Sequence, residues 1–366
     1  MNIIEELAPY VKVSLGAQDE REIEKIEQTL KENNIPDQHV TYYVVPHNDI
    51  WTRDMGPIFL KSNTGKLAIV DFNFNVWGYE DASSQGSKVE ERVDRIIGNL
   101  LKLPTIKTNL ISEGGNREFN GKGTLMVTEA VELQRNPNMT RGEIENEFKR
   151  LFNVTKVIWL KKGLYEDDLT FMGPLPGRDG EKNVYTVITT GGHIDIYARF
   201  ANPNTILLAE VSKEEAAKDP IAKVNRERIE ENYQILKSAT DQDGNPFNIV
   251  RIPLPDLIFD TLAPGDGVYD YIKNLKYLNG STFPDGEEIK VVLATSYLNF
   301  LVTNGVVLGS SYWLPGRPES MKIKDAQAKQ ILESVFPDRE IILINTENIN
   351  IGGGGIHCIT QQQPAL

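Results

Sequence analysis

Residues 54–70 read Asp-Met-Gly-Pro-Ile-Phe-Leu-Lys-Ser-Asn-Thr-Gly-Lys-Leu-Ala-Ile-Val, and this stretch decides the fold. A carboxylate stands first, and two short apolar runs follow it on either side of an Asn/Gly-containing turn. Apolar runs separated by such a turn are typical of a β-hairpin. The stretch therefore predicts a hairpin that begins with the carboxylate of Asp54.

The same pattern, a polar residue followed by two apolar runs around a turn, recurs along the chain. The further copies are Glu113 before Arg117–Phe119 and Thr124–Val127, His193 with Asp195 before Tyr197–Phe200 and Thr205–Leu208, and Asn299 before Phe300–Thr303 and Val306–Leu308. Cys358 opens a fifth, shortened copy near the C-terminal end. In a radial repeat architecture the equivalent residues of all copies converge on one axis. Because the copies are irregularly spaced, unrelated hairpins in an ordinary α/β protein are the alternative.

Helix and strand patterns alternate between the copies. Amphipathic patterns predict helices at Asp19–Asn33, Thr140–Leu151, within Ser212–Ser238 and at Lys324–Phe336. Apolar, β-branched runs predict strands at Val40–Val45, Lys66–Phe72, Val184–Ile188, Lys290–Leu293 and Glu340–Ile344. No long linker interrupts these elements, so we expect an α/β fold in a single domain over residues 1–366.

The charge balance limits the partners. The 366 residues include 52 Asp and Glu against 39 Lys and Arg, for a net charge of −13. Sequence-independent binding of nucleic acid needs a basic surface, whereas a negative field concentrates cations. We therefore expect a small cationic partner and no nucleic acid.

The chain shows none of the patterns of a membrane or secreted protein. No apolar run approaches the roughly 20 residues that cross a bilayer, and the acidic start lacks the pattern of a signal peptide. We therefore expect a soluble, cytoplasmic protein that binds no membrane. With one cysteine, Cys358, the chain can form neither an intrachain disulfide nor a multi-cysteine metal site.

Cys358 follows four glycines, Gly352–Gly355, which let the backbone approach other groups closely. A lone cysteine on such a loop is a candidate nucleophile when a histidine is available. The alternative is a small, buried and unreactive thiol. His193 and Asp195 are two positions apart, a spacing that predicts both side chains on one face of a strand.

The residues that open the copies suit one kind of substrate. A thiol, an imidazole and three carboxylates, from Cys358, His193, Asp54, Glu113 and Asp195, match a planar guanidinium, whose N–H donors pair with carboxylates in a fixed fork. A thiol among carboxylates has a raised pKa, and a bound cation offsets this effect. One alternative is a propeller that binds without catalysis. Another is a metal hydrolase with His193, Asp195, Glu113 and Cys358 as ligands, which the shortage of histidines and cysteines disfavours.

Five motifs carry a resemblance to a known family. They are Trp51–Pro57, Glu113–Asn116, Gly192–Asp195 with Ala198–Phe200, Ser296–Phe300, and Gly352–Cys358 with the following Ile359–Pro364. Together and in this order they resemble the agmatine deiminase family, which is related to bacterial peptidylarginine deiminases within the guanidino-group-modifying superfamily. The resemblance runs from about Val40 to the C-terminal end. It implies a five-bladed α/β propeller with pseudo-fivefold ββαβ repeats.

The resemblance also implies a role for each site residue. Cys358 attacks the guanidinium carbon, and His193 protonates the departing ammonia and then activates water. Asp54 and Asp195 clamp the guanidinium nitrogens, while Glu113 supports His193 or contacts the guanidinium. The other implied substrate-binding residues are Trp51, Asn299 and Gly355. A covalent amidino-cysteine is then hydrolysed to a ureido product without a metal or an organic cofactor.

The expected reaction converts agmatine to N-carbamoylputrescine and ammonia, within polyamine metabolism and putrescine biosynthesis. Free arginine, peptidyl-arginine, another small guanidine and amidino transfer are the alternatives. The chain departs from the family pattern by lacking a Trp-rich opening segment and by carrying extra residues around Ala263–Glu287. We expect both regions to shape the rim of the pocket that binds the substrate tail. We expect Trp51 and the neighbouring Asp49 to line the channel for that tail. The sequence does not determine the assembly state, for which a homodimer is the candidate.

Overall fold

The computed structural model describes residues 2–81, 83–177 and 184–365, which form a mixed α/β fold. Its helices are α1 (Asn2–Leu7), α2 (Glu20–Glu32), α3 (Thr52–Met55), α4 (Gln85–Glu90), α5 (Val93–Leu100), α6 (Glu129–Arg135), α7 (Arg141–Phe152), α8 (Lys213–Lys218), α9 (Pro220–Ser238), α10 (Gly267–Ile272), α11 (Glu319–Val335) and α12 (Glu347–Asn350). Within these described ranges, no helix has the length and apolar character needed to span a membrane.

The strands of the described ranges are short and spread along the whole chain. They are β1 (Val13–Ala17), β2 (Val40–Val44), β3 (Ile58–Lys61), β4 (Leu67–Asn73), β5 (Thr105–Ile111), β6 (Glu118–Phe119), β7 (Thr124–Thr128), β8 (Lys156–Leu160), β9 (Val184–Thr186), β10 (Ala198–Asn202), β11 (Thr205–Glu210), β12 (Asn248–Pro253), β13 (Phe259–Leu262), β14 (Ile289–Val292), β15 (Leu301–Val302), β16 (Val306–Ser311) and β17 (Glu340–Asn345). Each strand predicted from the sequence overlaps one of these.

Four three-stranded sheets share one strand order, in which the first strand is antiparallel to the second and the second is parallel to the third. They are β3-β4-β5, β6-β7-β8, β10-β11-β12 and β15-β16-β17. One or two helices connect the second strand to the third in each sheet. The four predicted hairpins are therefore confirmed. Asp54, Glu113, Asp195 and Asn299 each lie a few residues before the first strand of their copy.

Turn chemistry sets three of the hairpins. Gly65, Gly121 and Gly305 have φ angles of 83°, 73° and 80°, in the left-handed region that glycine adopts without steric penalty. The third hairpin instead has a register shift between Phe200 and Asn202. In the three hairpins with these glycines, local sequence thus determines where the strands reverse direction.

The middle strands of the sheets are largely buried. All residues of β7 are buried, as are Thr205–Ala209 of β11. Strands read as continuous apolar runs, without alternation, where both faces of a sheet are covered. The largest apolar cluster includes Leu207 of β11, Ile229 of α9 and Leu332 of α11, so neighbouring copies share one core.

Capping contacts confirm two predicted helix starts. Asp19 accepts a hydrogen bond from the Glu22 backbone N–H at the start of α2. Thr140 and Glu143 exchange hydrogen bonds in a capping box at the start of α7. Side chains that satisfy the first free N–H groups fix where a helix begins, so these boundaries were readable from sequence.

One helix prediction is confirmed in more detail, and another needs correction. The stretch Ser212–Ser238 contains two helices, because Asp219 caps α9 directly after α8 ends. The last long helix begins at Glu319 and not at Lys324, since Pro318 occupies its N-cap position and an amphipathic pattern does not mark a helix start.

The N-terminal strands β1 and β2 pair in parallel and are connected by α2. This βαβ unit matches the second half of each copy, in which a strand leads through a helix to a parallel partner. The residues from Ile359 to Ala365, which follow the nucleophile candidate, contain no strand.

A further sheet, β13-β14-β9, departs from the common order because β9 precedes β13 and β14 in the chain. We call it the accessory sheet. The connection after β8, which leads to His193, contributes β9, and the connection after β12 contributes β13 and β14. The extra residues Ala263–Glu287 supply α10 and most of the loops that cover this sheet. They therefore pack against the segment that leads to His193.

Candidate active site

The glycine run before Cys358 packs against two walls of a cavity. Gly353 has a φ of 111°, and a Cβ there would lie 1.8 Å from the Ile188 carbonyl oxygen. A Cβ on Gly354 would lie 2.5 Å from the Trp51 ring. Only glycine fits either position, because any side chain would overlap these walls. The loop is therefore built for close approach and places Cys358 at the cavity.

The Cys358 thiol is buried among polar groups. Asn299 donates from Nδ2 to Sγ over 3.1 Å, and Sγ lies 3.6 Å from Asp195 Oδ2. A backbone hydrogen bond from Gly355 also favours the thiolate. Asn299 and Gly355, which were predicted to bind substrate, therefore lie against the nucleophile candidate itself.

Arg53 ties the C-terminal segment to the first copy. Its backbone N–H donates to the Cys358 carbonyl over 2.9 Å, and its Nε donates to the His357 carbonyl over 3.2 Å. Its terminal nitrogens donate to the side chains of Gln361 and Gln362 over 2.5 and 2.7 Å. Arg53 is buried, so these contacts fix the backbone on both sides of the thiol.

The Asp54 carboxylate, on α3, is held by two donors. Oδ1 accepts from the Gly115 backbone N–H and Oδ2 accepts from Trp77 Nε1, each over 2.8 Å. A Cβ on Gly115 would lie 2.4 Å from His193 Nδ1 and 3.1 Å from Asp54 Oδ1. The glycine of the Glu113–Asn116 motif is thus required for Asp54 and His193 to converge.

His193, Glu113 and Arg135 form a buried chain of charged groups. His193 Nε2 lies 3.4 Å from Glu113 Oε2, and Arg135 Nε donates to Glu113 Oε1 over 2.7 Å. Burial alone would raise the pKa of Glu113, but Arg135 and His193 outweigh burial and lower it to about 2. Because Glu113 contacts both His193 and Arg135, the geometry favours the support of His193 among its two expected roles.

The Asp195 carboxylate lies on the thiol side of the site. Its Oδ2 accepts from Asn299 Nδ2 over 3.0 Å and from His357 Nδ1 over 2.7 Å, and it faces Cys358 Sγ. Asp195 Oδ1 and His193 Nδ1 are buried and have no hydrogen-bond partner. Because buried polar atoms are almost always paired, these two atoms indicate where a ligand binds.

The prediction that His193 and Asp195 share one face of a strand was wrong. The two residues lie at a 3₁₀ turn, Ile194–Ile196, and the strand begins only at Ala198. The cause is the preceding loop, in which the buried Asp167 carboxylate accepts three backbone N–H bonds of 3.0–3.1 Å, one of them from His193. Asp167, which lies more than twenty residues earlier in the chain, therefore holds the backbone before His193 in a turn. Strand β10 begins only after this turn.

A small cavity reaches the thiol. It is lined by Trp51, Asp54, Trp77, Ile188, Thr190, Gly353 and Cys358. Sequence reasoning missed Trp77, Ile188 and Thr190. No local pattern marks Trp77, and its φ of 52°, unusual for a bulky residue, is visible only in the structure. Ile188 and Thr190 belong to the connection that contributes β9 to the accessory sheet.

Asp49 and the extra residues Ala263–Glu287, which the sequence analysis related to the substrate tail, do not line the cavity but lie behind its walls. The Trp51 side chain hydrogen bonds to Asp49. Tyr271, from the extra residues, packs with its ring centroid 6.1 Å from that of Tyr79, whose hydroxyl lies 3.2 Å from Thr189 Oγ1. The extra residues therefore support a cavity wall through Tyr79 and do not line the cavity.

Burial and the carboxylates set the protonation states. Burial, then Asp195 and Asp54, raise the pKa of the Cys358 thiol well above its ordinary value, as predicted. Burial alone would lower the pKa of His193, but Asp54, Glu113 and Asp195 raise it to about 9. Burial also raises the pKa of Asp195 to about 7. At neutral pH the free site therefore holds a protonated thiol beside an imidazolium.

The geometry disfavours the metal alternative. In residues 2–81, 83–177 and 184–365, no group of three or more His, Cys, Asp or Glu side chains has the arrangement of a metal site. His193 Nε2 instead lies 3.4 Å from Glu113 Oε2, and Cys358 Sγ lies 3.6 Å from Asp195 Oδ2, so these groups contact one another in pairs. The fold and the site define a cysteine-dependent enzyme class that acts on a planar cation.

Comparisons with known proteins agree with this class. An agmatine deiminase of Medicago truncatula is 32% identical over 346 residues, covering 91% of this chain and 80% of that protein. The agmatine deiminase of Pseudomonas aeruginosa (strain LESB58) is 31% identical over 335 residues, covering 90% of this chain and 78% of that protein. The solved agmatine deiminase of Enterococcus faecalis shares the fold, with a TM-score of 0.73 at 24% identity over 99% of this chain and 86% of that one.

The family model for Porphyromonas-type peptidyl-arginine deiminase matches residues 1–172 and 181–364. The chain therefore belongs to this family, and the resemblance inferred from its motifs is confirmed.

The glycine run generates a prediction about stability. Gly353→Ala is expected to lower the free energy of unfolding by about 3 kcal/mol or more, because the methyl group meets the Ile188 carbonyl and the left-handed φ is strained. Gly65→Ala is the matched control, with a φ of 83° but open space around its Cβ, and should cost only about 1–2 kcal/mol. Urea denaturation measures both changes, and equal losses would contradict the close approach.

The raised thiol pKa generates a prediction about reactivity. Alkylation by iodoacetamide reports Cys358 alone, since the chain has no other cysteine. The rate is expected to rise roughly tenfold per pH unit through pH 9 without a plateau, because only the thiolate reacts. A rate that bends at about pH 8.5 and then levels off, as for a free cysteine measured in parallel, would contradict the assigned environment.

Proposed function

We propose that this chain is a hydrolase that converts agmatine to N-carbamoylputrescine and ammonia. The observation that carries the proposal is a pair of buried atoms without a hydrogen bond, Asp195 Oδ1 and His193 Nδ1, in a site where Asp195 Oδ2 lies 3.6 Å from the Cys358 thiol and His193 Nδ1 lies 3.7 Å from Asp54 Oδ2. A guanidinium supplies what each atom lacks, since its N–H groups donate to the carboxylate and its departing nitrogen takes a proton from the imidazolium.

Two carboxylates hold the guanidinium in the proposed complex. The protein donors to Asp54 and Asp195 fix the orientation of both carboxylates and leave lone pairs for the substrate. Trp51 and Trp77 supply aromatic walls, against which a planar cation stacks favourably. The substrate carbon is thereby held next to the Cys358 sulfur.

The first half of the reaction forms a covalent intermediate. The bound cation offsets the repulsion between the carboxylates and a thiolate, and Asp195 Oδ2, 3.6 Å from Cys358 Sγ, is an acceptor for the thiol proton. The thiolate attacks the guanidinium carbon and forms a C–S bond. The His193 imidazolium gives its proton to one nitrogen, the C–N bond breaks, and ammonia leaves an amidino-cysteine.

The second half hydrolyses this intermediate. His193 is now neutral and accepts a proton from water, while the water oxygen attacks the amidino carbon. The C–S bond breaks and the departing thiolate takes back the proton that Asp195 had accepted. The hydroxyl of the intermediate loses its remaining proton to solvent, and the ureido product leaves with the oxygen of that water. Glu113 and Arg135 keep the ring of His193 in place during both proton transfers.

The choice of agmatine concerns the substrate tail. Among the residues that the structure describes, no lysine or arginine lies in the cavity wall to pair with the carboxylate of free arginine. Agmatine carries an amine there, which a chain of net charge −13 attracts. The two curated relatives described above are also named agmatine deiminases. Peptidyl-arginine is the second candidate, because the matching family model carries that name.

We further propose a five-bladed propeller formed by one catalytic domain. The four sheets of common order supply four blades, and the N-terminal unit of β1, α2 and β2 completes the shortened copy opened by Cys358. Site residues from position 54 to position 358 lie around one cavity, which supports this reading. A cytoplasmic location agrees with the single free cysteine.

The activity is tested by measuring ammonia release from agmatine, arginine and arginyl peptides. We expect kcat/KM for agmatine to exceed that for arginine by roughly tenfold or more, because the arginine carboxylate meets uncompensated negative charge. Cys358→Ser should abolish turnover while circular dichroism stays unchanged. Turnover by that variant would contradict covalent catalysis, and silence on all substrates would favour a binding protein.

The clamp is tested with Asp54→Asn. The variant loses one charge-assisted pair with the guanidinium, so kcat/KM is expected to fall by about a hundredfold. Asp260→Asn is the matched control, because Asp260 is an exposed carboxylate on β13. The control should retain wild-type turnover, and an equal loss in both variants would refute the clamp.

A further inference from the structure

His357 has no role in the reaction as described so far, yet it is nearly fully buried at the centre of the site. Its backbone N–H donates to Asn299 Oδ1 over 3.0 Å, and its carbonyl accepts from Arg53 Nε. Its side chain directs Nδ1 at Asp195 Oδ2 over 2.7 Å, with 4% of the ring exposed. Main-chain contacts thus fix the ring against a clamping carboxylate.

The two histidines of the site have opposite protonation. Burial, then Arg199, Arg53 and His193, hold the pKa of His357 well below its ordinary value, whereas the pKa of His193 is raised to about 9. His357 is therefore neutral at neutral pH, and its Nδ1 carries the hydrogen because it faces a carboxylate oxygen. It acts as a fixed hydrogen-bond donor and not as a proton source.

This donor determines which oxygen of Asp195 is available. Asn299 Nδ2 and His357 Nδ1 both occupy Oδ2, while Oδ1 has no partner. Rotation of the carboxylate would break two short hydrogen bonds from rigidly held donors. The arrangement therefore keeps Oδ1 directed away from these donors and available to the guanidinium.

We propose that His357 is a positioning residue, which holds Asp195 so that Oδ1 faces the guanidinium of the substrate. The inference rests on the proposed function, because it assumes a guanidinium beside Cys358. It assigns to the residue before the nucleophile a part in substrate binding, separate from the acid–base role of His193.

The test compares His357→Asn with His357→Leu. The two replacements have similar size, but only asparagine can place an N–H where Nδ1 stands. The leucine variant is expected to raise KM for agmatine by about tenfold with a smaller change in kcat, and asparagine should restore KM to within about threefold of wild type. Loss of packing alone would affect both variants equally, so equal KM values would overturn the proposal.

A second measurement separates this proposal from the choice of substrate. Guanidinium ion should protect Cys358 from iodoacetamide in the wild-type protein and in His357→Asn, and about tenfold more of it should be needed in His357→Leu. This assay needs no turnover. Inactivity on agmatine would therefore refute agmatine as the substrate, while the protection assay would still test the positioning role. Equal protection in the three proteins would overturn the positioning role.

Two further variants serve as controls for the comparison of His357→Asn with His357→Leu. His39→Leu alters an exposed histidine far along the chain and should behave as wild type in both assays. If His357→Leu does not fold, His357→Ala takes its place, with urea denaturation used to check that the protein is native. The asparagine variant is then expected to have a lower KM for agmatine than the alanine variant. Equal KM values in these two variants would count against the proposal.

Discussion

The buried carboxylate of Asp195 is the constraint on which the site depends. Its side chain is fully excluded from solvent, and three side chains from two other parts of the chain, Asn299, His357 and Cys358, surround one of its oxygens. A buried ionised group is costly unless it is paired and hydrogen bonded. The fold therefore has to bring the third copy, the fourth copy and the C-terminal loop together before this carboxylate is tolerated.

The same cost explains how the site selects its ligand. Asp54, Glu113 and Asp195 concentrate negative charge, and Arg135 satisfies only Glu113 directly. The remaining charge raises the pKa of both His193 and the Cys358 thiol. A cation that enters the site relieves the repulsion between the carboxylates and favours the thiolate at the same time. Substrate binding and activation of the nucleophile are thus one electrostatic event.

Much of this arrangement was readable from sequence because its signals are local. Asn/Gly turns between apolar runs located the hairpins, and the residues that precede them converge, as the repeat predicted. The accessory sheet could not be foreseen, since β9 pairs with a strand about a hundred residues later and no pattern in either strand records the partner. Trp77, Asp167 and Arg135 were missed for a related reason. Each acts through a distant group, and a lone buried charge or aromatic residue looks ordinary in its own segment.

His357 shows why the nearest histidine to a nucleophile need not be its base. Sequence proximity favours pairing His357 with Cys358, but successive side chains on a tight loop rarely face each other, and here the ring turns to Asp195 instead. Burial first, and then the nearby positive charges, keep His357 neutral, whereas the carboxylates around His193 outweigh burial and keep that ring protonated. The environment, and not the spacing, therefore decides which imidazole donates a proton and which only donates a hydrogen bond.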